Sequence, residues 1–72
     1  MNEYSYFNGD HFIKFYIIEV DEENSKITLA INDEGKIKQD TFDLFTDRYG
    51  NQYFKYGLFD EVKIQLDDFV GW

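Results

Sequence analysis

The chain has 72 residues, fifteen acidic side chains against seven basic ones, and a formal net charge of −8. That charge argues against binding to bare nucleic acid or an anionic membrane, and an aromatic content of 21% argues against an acidic disordered chain. With no cysteine and one histidine, neither a disulfide framework nor a Cys/His zinc site can reinforce so small a fold.

One acidic β domain, 1–72, is the expected organisation, its core near the lower limit of self-sufficiency. The first residues lack the basic flank and apolar stretch of a signal peptide, and no apolar run approaches 18 residues. A cytoplasmic protein is expected.

Glu3 to Phe7 reads as a first strand, leading through Asn8-Gly9-Asp10, a strong two-residue hairpin signal, into a second. His11 to Val20 is too rich in β-branched and aromatic residues for a helix. Its two faces, Phe12, Lys14, Tyr16, Ile18, Val20 and Ile13, Phe15, Ile17, Glu19, are both largely apolar. That pattern marks a strand covered on two sides or bent through a corner. The polar loop Asp21 to Ser25 precedes Lys26 to Asn32, which alternates with Ile27, Leu29 and Ile31 inward.

Asn32 to Gly35 is a turn with Gly35 at its left-handed position. From Lys36 to Phe45 the parity breaks, Ile37 against Phe42 and Leu44, so a bulge is expected near Gln39 to Thr41. Thr46 to Asn51 forms another hairpin loop before a short strand, Gln52 to Tyr56. Gly57 to Asp60 is a helical turn or tight corner, and Glu61 to Leu66 alternates with Val62, Ile64 and Leu66 inward. The expected fold is all-β, with five to six antiparallel strands in a strongly bent sheet or an SH3-like or OB-like barrel.

Carboxylate pairs at Asp33-Glu34, Asp60-Glu61 and Asp67-Asp68, with Asp21-Glu22-Glu23, are the chemically suggestive feature. Acid–base catalysis needs a cleft that separates their pKa values, and these positions fall in turns, where solvated charge is the ordinary state. Neither Asp21 to Asn24 nor Asp47 to Asn51 matches the calcium-loop spacing, so no metal is expected. His11 beside a turn reads as a surface or cap residue, and Ser5 and Ser25 have no partner base. The five glycines stand apart, so no phosphate loop exists. No catalytic residue and no cofactor are expected, and the chain reads as non-enzymatic.

Tyr4, Tyr6, Tyr53, Phe54 and Tyr56 have the composition of a base-stacking platform, but such platforms sit in basic grooves; core packing is the simpler reading. In an up-and-down meander, alternate turns share an end. One end would gather Asp21, Glu22, Glu23, Asp47, Asp67 and Asp68 against Arg48 and Lys26, with Tyr49, Phe69 and Trp72 close by in sequence. The other would gather Asp10, Asp33, Glu34, Asp60 and Glu61 with Lys36.

Carboxylates two residues apart on a strand are separated by roughly 6.6 to 6.8 Å, a spacing comparable to that of successive backbone phosphates. Such a surface suits a basic cleft, with aromatic side chains as anchors. In composition and size the chain is similar to phage and mobile-element inhibitors, such as anti-CRISPR, anti-restriction and DNA-glycosylase inhibitor proteins. That similarity implies a DNA mimic: a protein-binding module whose partner is a basic surface of a nucleic-acid-handling enzyme. The alternative is a plain interaction or assembly domain, homodimeric, whose charge serves solubility.

Overall fold

The computed structural model describes residues 2–57, 59 and 61–72. Seven strands form, in chain order β1 (Glu3–Phe7), β2 (Phe12–Asp21), β3 (Lys26–Asp33), β4 (Lys36–Asp43), β5 (Phe45–Thr46), β6 (Gln52–Tyr56) and β7 (Val62–Gln65), followed by a 3₁₀ turn, Leu66–Asp68. They make two antiparallel sheets, β1-β2-β3-β4 and β5-β6-β7. The chain is all-β as expected, but the described residues form seven strands rather than five or six, and among them the sheets do not close into a barrel. The break falls at Leu44, between β4 and the two-residue β5, where the chain leaves one sheet for the other.

Pairing follows sequence neighbours, so both sheets are meanders. The β1–β2 hairpin turns on Gly9 and Asp10, with Gly9 at φ +98°. Asn8 steadies it, its Oδ1 accepting the Asp10 and His11 N–H groups at 2.9 and 3.0 Å. Between Asp33 and Lys36, Glu34 and Gly35 both have positive φ, 54° and 86°, the backbone of a two-residue hairpin whose twist suits its strands.

In β2 the pairing steps from Ile17↔Leu29 to Glu19↔Thr28, leaving Ile18 as the extra residue of a bulge. The bulge reverses the side-chain alternation, so Val20 joins Ile13, Phe15 and Ile17 on the core face while Ile18 points to solvent, 52% exposed. The strand is therefore bent and covered on one side only. No bulge occurs in β4, whose register with β3 is unbroken from Lys36 to Asp43. Ile37 accordingly lies on the outer face, 72% exposed, opposite in parity to Phe42. The corner expected over 57–60 includes residues 58 and 60, which lie outside the described residues.

The core sits between the sheets. Ile27, Leu29 and Ile31 from β3, Ile13, Phe15 and Ile17 from β2, Phe54, Ile64 and Leu66 from the second half, and Leu44 and Phe69 fill it. Phe54 joins the two sheets. Its ring meets Phe42 at 5.5 Å, Phe15 at 5.9 Å and Phe69 at 6.3 Å between centroids, and aromatic pairs at such separations add about 0.5–1.5 kcal/mol each beyond buried area. A second tie is made of backbone: Glu3 and Val70 exchange N–H···O bonds of 3.2 and 2.8 Å, fastening the final residues to β1.

Candidate functional site

Three acidic segments meet at one end of the molecule because both sheets are meanders. The β2–β3 turn is tied to the second sheet and to the crossing that leads into it: Gln52 donates to Glu22 Oε1 at 3.1 Å, and the N–H of Leu44, between the sheets, donates to the Ser25 carbonyl at 2.9 Å. The β5–β6 turn starts at Asp47, beside the Thr46↔Gln52 pair. β7 pairs Gln65 with Tyr53 and runs directly into the 3₁₀ turn that carries Asp67 and Asp68. Asp21, Glu22, Glu23, Asp47, Asp67 and Asp68 thus occupy the same end.

Their carboxylates do different work. Asp21 accepts from the Asn24 side chain and backbone, and this holds its carboxyl below the usual range. Asp47 is also lowered, first by the Asn51 N–H and then by that of Tyr49, at 2.9 and 2.8 Å. Both are turn-holding residues. Glu23, Asp67 and Asp68 are exposed, and among the described residues their carboxylates make no hydrogen bond or ion pair. They are the acids of this end that no other described group engages.

The flanking aromatics divide in the same way. Tyr49 is 75% exposed beneath the Arg48 guanidinium, 5.1 Å from its ring centroid, and Trp72 is 53% exposed. Phe69, expected as a third contact, is 3% exposed and packs on Tyr4 and Phe54. It is a core residue because the 3₁₀ turn rolls it under the sheet. Lys26 does not face the cluster's free acids but bonds Asp43 at 2.5 Å across β3–β4.

The stacking platform is not assembled. Phe54 is fully buried, and Tyr4, Tyr6 and Tyr56 pack against the core; burial, with Asp33 nearby, pushes the Tyr56 hydroxyl up. Tyr53 alone of the five faces outwards, stacked on Phe45 at 5.4 Å, with Lys63 and Lys55 each 5.0 Å above a ring. On the other sheet the outer face exposes Phe7, Phe12, Ile18 and Ile37.

At the opposite end the β1–β2 and β3–β4 turns converge on His11. Its Nε2 meets Asp33 Oδ1 at 2.5 Å, while Nδ1 faces Asp10 Oδ2 at 3.1 Å and Glu34 Oε1 at 3.4 Å. The bond to Asp10 and then that to Asp33 raise the imidazole above its ordinary pKa; burial opposes them, and the charge of Glu34 adds a smaller increase. Asp10, Asp33 and Glu34 were expected at this end; that they close around His11 was not. The available signal was the meander itself, which puts residues 10–11 and 33–34 in neighbouring turns. Neither serine hydroxyl reaches His11 among the described residues.

No helix among the described residues is long and apolar enough to cross a membrane. No protein-family model matches the chain, and no curated protein or solved structure does so either.

Proposed function

We propose that this protein is a non-enzymatic protein-binding module of the cytoplasm that docks by its acidic end onto a basic surface, in its sharpest form the nucleic-acid cleft of an enzyme held by charge mimicry. The supporting observation is the division of labour among the acids: Asp21 and Asp47 fix two turns, and these turns and the 3₁₀ turn present Glu23, Asp67 and Asp68 unpaired beside exposed Tyr49 and Trp72. Free carboxylates carried on turns whose backbone is already held attract a basic partner with a reduced ordering cost, and the rings supply the desolvated anchors that charge lacks. An anti-CRISPR, anti-restriction or similar inhibitor has this requirement.

The test is capture from the heparin-binding fraction of a host extract, followed by salt titration of the complex. Binding is expected to weaken steeply between about 50 and 200 mM salt, as it does for DNA itself. Asp67→Lys with Asp68→Lys should cost at least about tenfold in affinity, and Lys14→Glu, on the outer sheet face, should not. A salt-insensitive complex, or no captured protein, refutes the mimic.

The exposed Phe7, Phe12, Ile18 and Ile37 favour a second reading, a homodimeric assembly domain. Light scattering separates the two, since that reading requires a dimer at micromolar concentration.

A further inference from the structure

We propose that Asp10, His11 and Glu34 bind a divalent transition-metal ion of the zinc class, with Asp33 as the carboxylate that orients the imidazole. This does not rest on the docking role, which belongs to the other end of the molecule.

The two ring nitrogens of His11 have different surroundings. Nε2 is committed to Asp33, on the neighbouring hairpin, which sets the ring plane and leaves Nδ1 as the donor. A carboxylate on the far nitrogen is the ordinary support of a metal-binding histidine. Around Nδ1 stand Asp10 Oδ2 and Glu34 Oε1, at 3.1 and 3.4 Å, and all three donor atoms lie within 4.8 Å of one another. Bonds of about 2.0–2.1 Å in a tetrahedral shell place neighbouring ligand atoms about 3.3 Å apart. Two of the three spacings already have that value. The Asp10 and Glu34 side chains are largely exposed, whereas the ring is not. Small carboxylate rotations therefore admit an ion, and water completes its shell.

Acid density does not explain this arrangement. The opposite end holds more carboxylates, yet Asp10, His11 and Glu34 are the group of three metal-ligating side chains that converges among the described residues. Charge points the same way. Three carboxylates surround this one imidazole, and a divalent ion offsets two of their charges. Lys36, opposite Asp33 in the ladder, makes no ion pair with them among the described residues. The mixed nitrogen–oxygen donor set selects zinc, cobalt or nickel over calcium and magnesium, which prefer oxygen alone.

The experiment is titration of the intact chain with zinc chloride at neutral pH, followed by calorimetry and by ¹H–¹⁵N spectra that include the imidazole nitrogens. One saturable site is expected, with the largest shifts at His11 and in the two turns. His11→Ala should remove it, Asp10→Asn or Glu34→Gln should weaken it at least about tenfold, and Asp33→Asn should weaken it about 10- to 100-fold. Equimolar calcium should not compete. Shifts centred on Asp67 and Asp68, undiminished binding by His11→Ala, equal competition by calcium, or no saturation below millimolar zinc would each overturn the site. The wild-type spectra decide the matter even if a variant fails to fold.

Discussion

The carboxylates of Asp21 and Asp47 face their own turns, and this makes them sensors of acid. Each is held below its ordinary value of 3.8 by N–H donors that prefer the ionised form. The folded pKa is therefore lower than the unfolded one. Their contribution is complete above the unfolded value and is lost as the pH falls through the folded one, so stability should decline below about pH 4. Asn in place of either Asp keeps an acceptor but cannot titrate. Urea denaturation across pH 2–7 should show a shallower acid limb for Asp21→Asn with Asp47→Asn than for the parent; identical limbs would show that the turns do not depend on ionisation. The turn role of both residues was legible in the Asp-rich composition of the loops. The clasp around His11 was not: the meander puts residues 10–11 and 33–34 in neighbouring turns, but which side chains meet across them depends on turn geometry that strand alternation does not contain.

At the scale of the element, the bend that the two-faced apolar pattern of β2 allowed is present there as a bulge, whereas the bulge expected near Gln39 to Thr41 of β4 is absent. Both strands have apolar residues of mixed parity. In β2 an unbroken alternation would carry Glu19 onto the core face after Ile17, so the extra residue Ile18 is accommodated there. In the edge strand β4 nothing forces a correction: Ile37 stays in solvent, and Lys38 and Asp40, on the core-facing side, reach water beyond the part that the second sheet covers. Sequence alternation alone cannot distinguish these outcomes, because mixed parity is settled either by an extra residue or by leaving one apolar side chain in solvent. The bulge has a sharp consequence. Ile18 and Val20 share parity in sequence but not in space, so Val20→Asp should cost about 1–3 kcal/mol and Ile18→Asp within about 0.5 kcal/mol, measured by chemical denaturation. Equal effects would mean the strand runs without the extra residue.

Across the whole molecule, the order of the hairpins was legible in the sequence, since a meander dictates which loops are neighbours. The split into two sheets was hidden: β5 has two residues, too few for a periodic signal, and Leu44 reads equally well as the end of β4. Phe69 was hidden for the same reason, its orientation depending on a turn of three residues. The reciprocal bonds between Glu3 and Val70 join residues from opposite ends of the sequence, whereas every strand pair is formed by consecutive strands. Loop-closure entropy makes such a contact expensive until the hairpins have shortened the path between its ends. Val70→Pro deletes one donor, a loss of about 1 kcal/mol. Stopped-flow measurements should show unfolding accelerated about fivefold and refolding almost unchanged. Slowed refolding would instead place the contact in the folding nucleus. With unfolding alone accelerated, two hydrogen bonds would give the architecture an order in time: hairpins first, and the Glu3–Val70 clasp the last step in and the first step out.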